Sequence, residues 1–215
     1  MIEPARAFAQ PHEITARLQA IGMREEHIHE SVQRGLSARR SCNALHPPSF
    51  PGIYQWAETH CGLRDLAGAD GWKPSDEANF STIVSPDRAT AITVATGNAS
   101  TGRRGPEQPS TKYPKGAQTQ LVIEANRTLS FFDEPAEIEA PQPASRVTWV
   151  LLIHTDRQAG QLRYELSCPA GQDAEGHVTS WSDRIIFPPL EVEPSSLPPG
   201  DDDPSPAIDV PVDRI

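Results

Sequence analysis

Between Val94 and Leu121 the chain contains no valine, isoleucine or leucine, and this gap restricts its possible folds more than any other feature. The centre of the gap, residues 97–116 (GNASTGRRGPEQPSTKYPKG), holds four glycines, three prolines and four basic residues against a single acid, Glu107. Such a stretch has nothing apolar to fold around. Connections of about 20 residues without regular structure are uncommon inside compact domains unless they are functional or disordered. Any fold must carry this span as a loop, which makes the loop the first candidate site.

The flanking sequence supplies the elements. Residues 12–21 place Ile14, Leu18 and Ile21 at helical spacing, with a stop at Gly22. Residues 24–40 set Ile28, Val32 and Leu36 four apart on one face, with acids in the first turn and Arg39 and Arg40 in the last. A third helix is expected from near Pro51 to before Gly68, turning Ile53, Trp56, Ala57 and Leu63 inward. Phe80–Val84 and Ala89–Thr96 read as a hairpin about Ser85-Pro86-Asp87-Arg88. Residues 117–130 suit a helix with Leu121, Val122, Ala125 and Leu129 on one side, although Leu-Val-Ile at 121–123 also suits a strand.

Val147–Ile153 is apolar almost throughout, as in a strand covered on both faces. In the next strand Leu162, Tyr164, Leu166 and Cys168 alternate with Gln161, Arg163, Glu165 and Ser167, which predicts one buried and one solvated face. Arg184–Phe187 is the last expected strand. The sum is an α+β fold: N-terminal helices, then an antiparallel or mixed sheet of about five strands with one packed helix. A single domain is expected over 1–187, with a helical part at 12–68 and a sheet part at 80–187. Residues 133–145, with four acids, three prolines and no base, read as a linker-like excursion, and whether they separate two domains stays open.

Charge and cysteines narrow the function classes. Residues 188–215 hold eight prolines and seven acids against one base, so a disordered acidic tail is expected there. Much of the net charge of −10 belongs to that tail, and the body is only mildly acidic. It lacks the basic excess of a dedicated duplex binder. Cys42, Cys61 and Cys168 form no C-x-x-C pair, which argues against a zinc ribbon or a redox dithiol and for reduced, mostly buried thiols. The start of the chain has no apolar signal segment, and the longest apolar run, Trp149–Ile153, is far too short to span a membrane. A cytoplasmic protein with no membrane association is the expectation.

The loop can be read as an anion site. Gly97 and Gly102 would let backbone N–H groups approach a phosphate, with Arg103, Arg104, Lys112 and Lys115 adding charge and a helix N-terminus following. Its spacing matches neither of the glycine-rich nucleotide motifs. Other constellations are weaker. His27 and His29 stand two apart on a helix and diverge, so no metal site is expected. Cys42 or Cys61 with His46 or His60 has no dyad spacing. Asp65, Asp70, Asp76, Glu77 and Asp87 would have to converge to serve a metal-dependent nuclease. Trp56, Trp72, Trp149 and Trp181 read as core rather than as a base-stacking platform. The first two helices invite a helix-turn-helix reading, which the outward acids of EEHIHE oppose. No catalytic set and no cofactor are expected.

Several runs together, GWKPSDEANFSTIVSPD (71–87), TVATGN (93–98), STKYPKG (110–116), TWVLLIHTD (148–156), YELSCP (164–169) and SWSDRIIF (180–187), resemble an uncharacterised family of bacterial proteins from integrative and other mobile genetic elements. The resemblance spans about residues 15–190. It implies a bacterial cytosolic setting and an accessory role, with a helix-turn-helix regulator or a metallopeptidase encoded nearby as partner. The expected function is a non-enzymatic accessory or regulatory protein that binds a protein or nucleic-acid partner. A phosphate-binding domain using the 97–116 loop is the alternative, and a metal-dependent nuclease the weaker one.

Overall fold

A computed structural model describes residues 5–130 and 146–198. The 133–145 excursion, the tail beyond residue 198 and the side chain of Leu129 lie outside the described residues. In chain order the elements are β1 (Arg6–Phe8), α1 (Pro11–Ala20), α2 (Glu25–Ser41), α3 (Phe50–Gly68), β2 (Lys73–Ser75), β3 (Thr82–Val84) and β4 (Thr90–Thr96). These are followed by α4 (Ala117–Ser130), β5 (Val147–Asp156), β6 (Gln161–Gln172), β7 (Val178–Ile186) and β8 (Leu190–Glu191). The fold is α+β with a mixed sheet, ordered β1-β7-β6-β5-β4-β3-β2, and β8 pairs with the start of β6. Among the described residues the sheet has eight strands where about five were expected. The additional ones, β1, β2 and β8, are two or three residues long, too short to show a period in sequence.

β4 and β5 run parallel, paired from Thr90↔Val147 to Thr96↔Ile153. Parallel neighbours need a crossover of a dozen or more residues. The aliphatic-free loop and α4 lie on that crossover, so the loop's length has an architectural reason. Alternation along the strands builds two faces. Ile92, Val94, Trp149, Leu151, Ile153, Leu162, Tyr164 and Leu166 join Ile14, Leu18, Ile28, Val32, Leu36 and Leu63 in the main core beneath α1, α2 and α3. The opposite face carries a smaller cluster of Ala95, Ile123, Val150, Leu152, Val178 and Trp181, which α4 covers together with the 97–116 span.

The three N-terminal helices form as their periodicity predicts, and Ile28, Val32 and Leu36 are all buried. The inner face of α3 differs. Gln55, Thr59, His60, Gly62, Leu63 and Ala67 point inward, whereas Ile53 is 55% and Trp56 37% exposed. The reason is the α2–α3 crossing, where Gly35 meets Thr59 and Gly62 meets Ser31. Small and polar residues allow the axes to approach, and the large apolar ones are turned away. A Cβ on Gly35 would stand 2.0 Å from Thr59 Oγ1 and 2.7 Å from the Gln55 carbonyl oxygen. The carbonyl cannot step aside without moving the helix. Gly35→Ala is therefore expected to destabilise the protein by about 1–3 kcal/mol, and an unchanged urea midpoint would refute this close crossing.

Two further expectations need correcting. The inner stripe of α4 is Thr119, Ile123 and Asn126, while Leu121 is 55% exposed. Asn126 fixes this rotation, since its side chain donates to the carbonyls of Thr148 and Pro169 and accepts the Thr148 N–H. The acidic tail does not begin at residue 188. Pro188 to Pro198 stays on the body: β8 pairs with β6, and Val192 and Leu197 are buried at 3% and 5% exposure. Apolar residues spaced among the prolines supply the burial that composition alone concealed.

Candidate functional site

The loop is fastened down by the polar row of β6, the row expected to face water. Arg163, Glu165 and Ser167 are 4%, 0% and 0% exposed. Their solvent is the backbone of the loop. Arg163 donates from Nε to the Thr101 carbonyl and from Nη2 to the Ala99 carbonyl, at 3.0 and 2.8 Å, while Nη1 pairs with Asp156 at 2.7 Å. Glu165 receives Arg184 in a two-pronged pair at 2.9 and 2.6 Å, the Ser167 hydroxyl at 2.6 Å, and the Gly102 N–H at 2.7 Å. Arg184 also donates to the Arg103 carbonyl, and the Trp181 indole to that of Pro109. Gly102 has φ +70°, and a Cβ there would lie 2.8 Å from Arg163 Cβ, so glycine is required. The span wraps a buried ionic cluster in place of an apolar core.

This arrangement distributes the expected anion-binding residues. The Gly97 N–H donates to the Ile153 carbonyl and the Gly102 N–H to Glu165, so neither faces outward as a phosphate donor. The anion that this loop cradles is the chain's own carboxylate. Arg103 reaches Asp156 at 3.3 Å and Arg104 lies 3.9 Å from Glu13, both of them exposed. Lys112 lies over the Tyr113 ring, 5.9 Å from its centroid. Lys115 is separated from the other three by its surroundings.

Lys115 lines a small cleft of about 40 Å³ between α4, the β6–β7 hairpin and the open part of β4. The walls are mostly apolar, with Phe80, Val122, Val150 and Val178 among them, and Thr93, Thr111 and Thr119 also line the site. Burial lowers the Lys115 pKa from its ordinary value. No carboxylate among the described residues pairs with its ammonium, and Thr119 is 6% exposed. Thr119 sits in the first turn of α4, so the cleft also borders the positive end of that helix. Sequence reasoning named Lys115 and missed Thr119, Phe80, Val150 and Val178. The available signal was a lysine two residues ahead of a helix start, with apolar strands downstream.

The other sequence candidates do not assemble. His29 bonds the Tyr164 hydroxyl at 2.9 Å, and His27 lies 3.6 Å from Asp70. Cys42 and Cys168 are buried, burial pushing the Cys168 thiol up to about 11, while Cys61 is exposed and accepts from Arg34 at 3.1 Å. His60 turns away from Cys61 to accept the Val94 N–H. Asp65, Asp70 and Asp76 each meet a nearby arginine and Asp87 closes its own turn, so these acids do not converge. Among the described residues no three of His, Cys, Asp and Glu come together to hold a metal ion, and no helix is long and apolar enough to cross a membrane. Trp72, Trp149 and Trp181 are core residues.

Comparison with protein-family models, with curated proteins and with solved structures finds no match for this chain.

Proposed function

We propose that this protein is a non-enzymatic accessory or regulatory protein of the bacterial cytoplasm that works by binding, with the Lys115 cleft as its recognition site. One observation carries the reading: a half-buried ammonium without a carboxylate partner among the described residues borders an apolar cleft. Half-burying a charge without a counter-ion is unfavourable, so the arrangement suits a site completed by an incoming group. A cleft with apolar walls and a few placed polar groups is the usual form of a small-ligand site. The resemblance to proteins of mobile elements supplies the setting, and a nearby helix-turn-helix regulator or metallopeptidase is the macromolecular partner this proposal includes.

Amide chemical shifts of the labelled protein, recorded against a mixed library of acidic, basic and neutral fragments, test the site. Fragments that bind are expected to shift Val122, Val150 and Val178 together, and Val122→Trp, which fills the cleft from α4, is expected to abolish those shifts. Shifts confined to other surfaces would refute the assignment.

A further inference from the structure

The outward side of α3 divides at its middle. Its C-terminal half presents Glu58, Cys61 and Asp65, whereas its N-terminal half presents Phe50, Ile53, Tyr54 and Ala57, with Trp56 at the edge. Ile53 is 55% and Trp56 37% exposed, and Leu45, on the loop before the helix, is 93% exposed. Contiguous apolar surface of this kind marks an interaction site. We propose that its occupant is the chain's own segment 206–213 (PAIDVPVD), with Ile208, Val210 and Val212 laid against Ile53 and its neighbours.

Three observations choose this occupant. The first is position. Arg157, in the turn after β5, donates to the Pro198 carbonyl, and two residues earlier Thr155 donates to Gln55 Oε1 at 3.3 Å, in the N-terminal half of α3. Residues 199–207, extended at about 3.3 Å each, reach roughly 30 Å beyond Pro198, ample to pass a helix about 10 Å across. The second is charge. α2 and α3 run antiparallel, with Gly35 against Thr59 and Arg39 against Gln55. The last turn of α2, carrying Arg39 and Arg40, therefore stands beside the first turn of α3, which has no acid and no side-chain cap. The chain leaving Pro198 brings Asp201, Asp202 and Asp203 to this end, and carboxylates are favourable near a helix N-terminus. The third is pattern. Ile208, Val210 and Val212 alternate with Asp209 and Pro211, so an extended segment turns its aliphatic residues to one side. The tether adds an effective concentration on the order of millimolar.

A nitroxide on Cys61 of the full chain tests the assignment, since Cys61 is exposed on α3 while Cys42 and Cys168 are buried. The amides of Ile208, Val210 and Val212 are expected to lose most of their intensity and to regain it when the nitroxide is reduced. Ile53→Asp, a change at an exposed side chain, is expected to restore all three signals without reducing the label. Val210→Asp with Val212→Asp touches no residue of the described body and is expected to restore the Ile208 signal. Full intensity in the labelled chain, or a loss that survives either variant, would overturn the assignment. Mixing isotope-labelled chains without nitroxide and nitroxide-bearing chains without isotope identifies the other occupant. An equal loss in that mixture would replace the intramolecular cover with a contact between two copies.

Discussion

Glu165→Gln is expected to lower the stability of this protein by about 3–5 kcal/mol, the range for removing one partner of a buried ion pair. Glu165 is fully buried and Arg184 is 2% exposed. With the carboxylate gone, the guanidinium keeps its charge in a buried site, and the Gly102 N–H loses its charged acceptor. For a chain of this size the thermal midpoint should fall by on the order of 10 °C. A loss below about 1 kcal/mol in urea would show that the cluster does not hold the loop. The double variant Glu165→Met with Arg184→Met separates charge from anchoring. Replacing a buried pair by apolar residues of similar volume is often neutral, so much of the global stability should return. The N–H of Gly102 and the carbonyl of Arg103 would still lack partners. Amide exchange should therefore quicken at 101–104 in the double variant while the β5 and β6 amides remain slow.

The same cluster explains where the sequence was legible and where it was not. The stripe of Ile28, Val32 and Leu36 could be read because its partners are apolar, and burial then follows hydropathy. The polar row of β6 could not, because its partners are loop carbonyls and N–H groups, which hydropathy ignores. The loop's lack of aliphatic residues and the arginines of β6 and β7 are two halves of one interaction, separated by about 60 to 80 residues. On α3 the failure has a different cause. A close helix crossing selects Gly, Ser and Thr, so Ile53 and Trp56 drew the inward assignment from residues that hold the interface. Parallel pairing of β4 with β5 leaves no local mark, which hid the reason for a long crossover. Of the candidate site, Lys115 was visible as a charge, but the walls around it come from β3's approach, α4, β5 and the β6–β7 hairpin, brought together only by the fold.

Acidification should weaken the fold between about pH 6.5 and 4 through His60. β3 ends short of β4, so Val94 has no strand neighbour on that edge, and α3 takes its place. The Val94 N–H donates to His60 Nε2 at 3.2 Å, and the Val94 carbonyl accepts the Trp56 indole at 2.9 Å. An imidazole that accepts at Nε2 must be neutral, with its proton on Nδ1, and Nδ1 is buried without a partner among the described residues. Burial, reinforced by the nearby Arg64 cation, holds the His60 pKa down at about 4 against an ordinary 6.5. Between those values the unfolded chain binds a proton that the folded one refuses. Stability is then complete above pH 6.5 and declines as the pH falls, by about 3 kcal/mol at pH 4 at 1.36 kcal/mol per unit. The lowered carboxyls of Asp76, Asp87 and Asp156 act in a different window, because their unfolded value is 3.8 and their contribution is lost only as the pH falls below it. His60→Gln keeps an acceptor for Val94 and removes the titration. Urea midpoints from pH 7 to 4.5 should fall for the native sequence and stay nearly level for the variant. Parallel curves would mean that the imidazole finds a counter-ion on protonation and that α3 does not depend on its neutral form to complete the edge of β4.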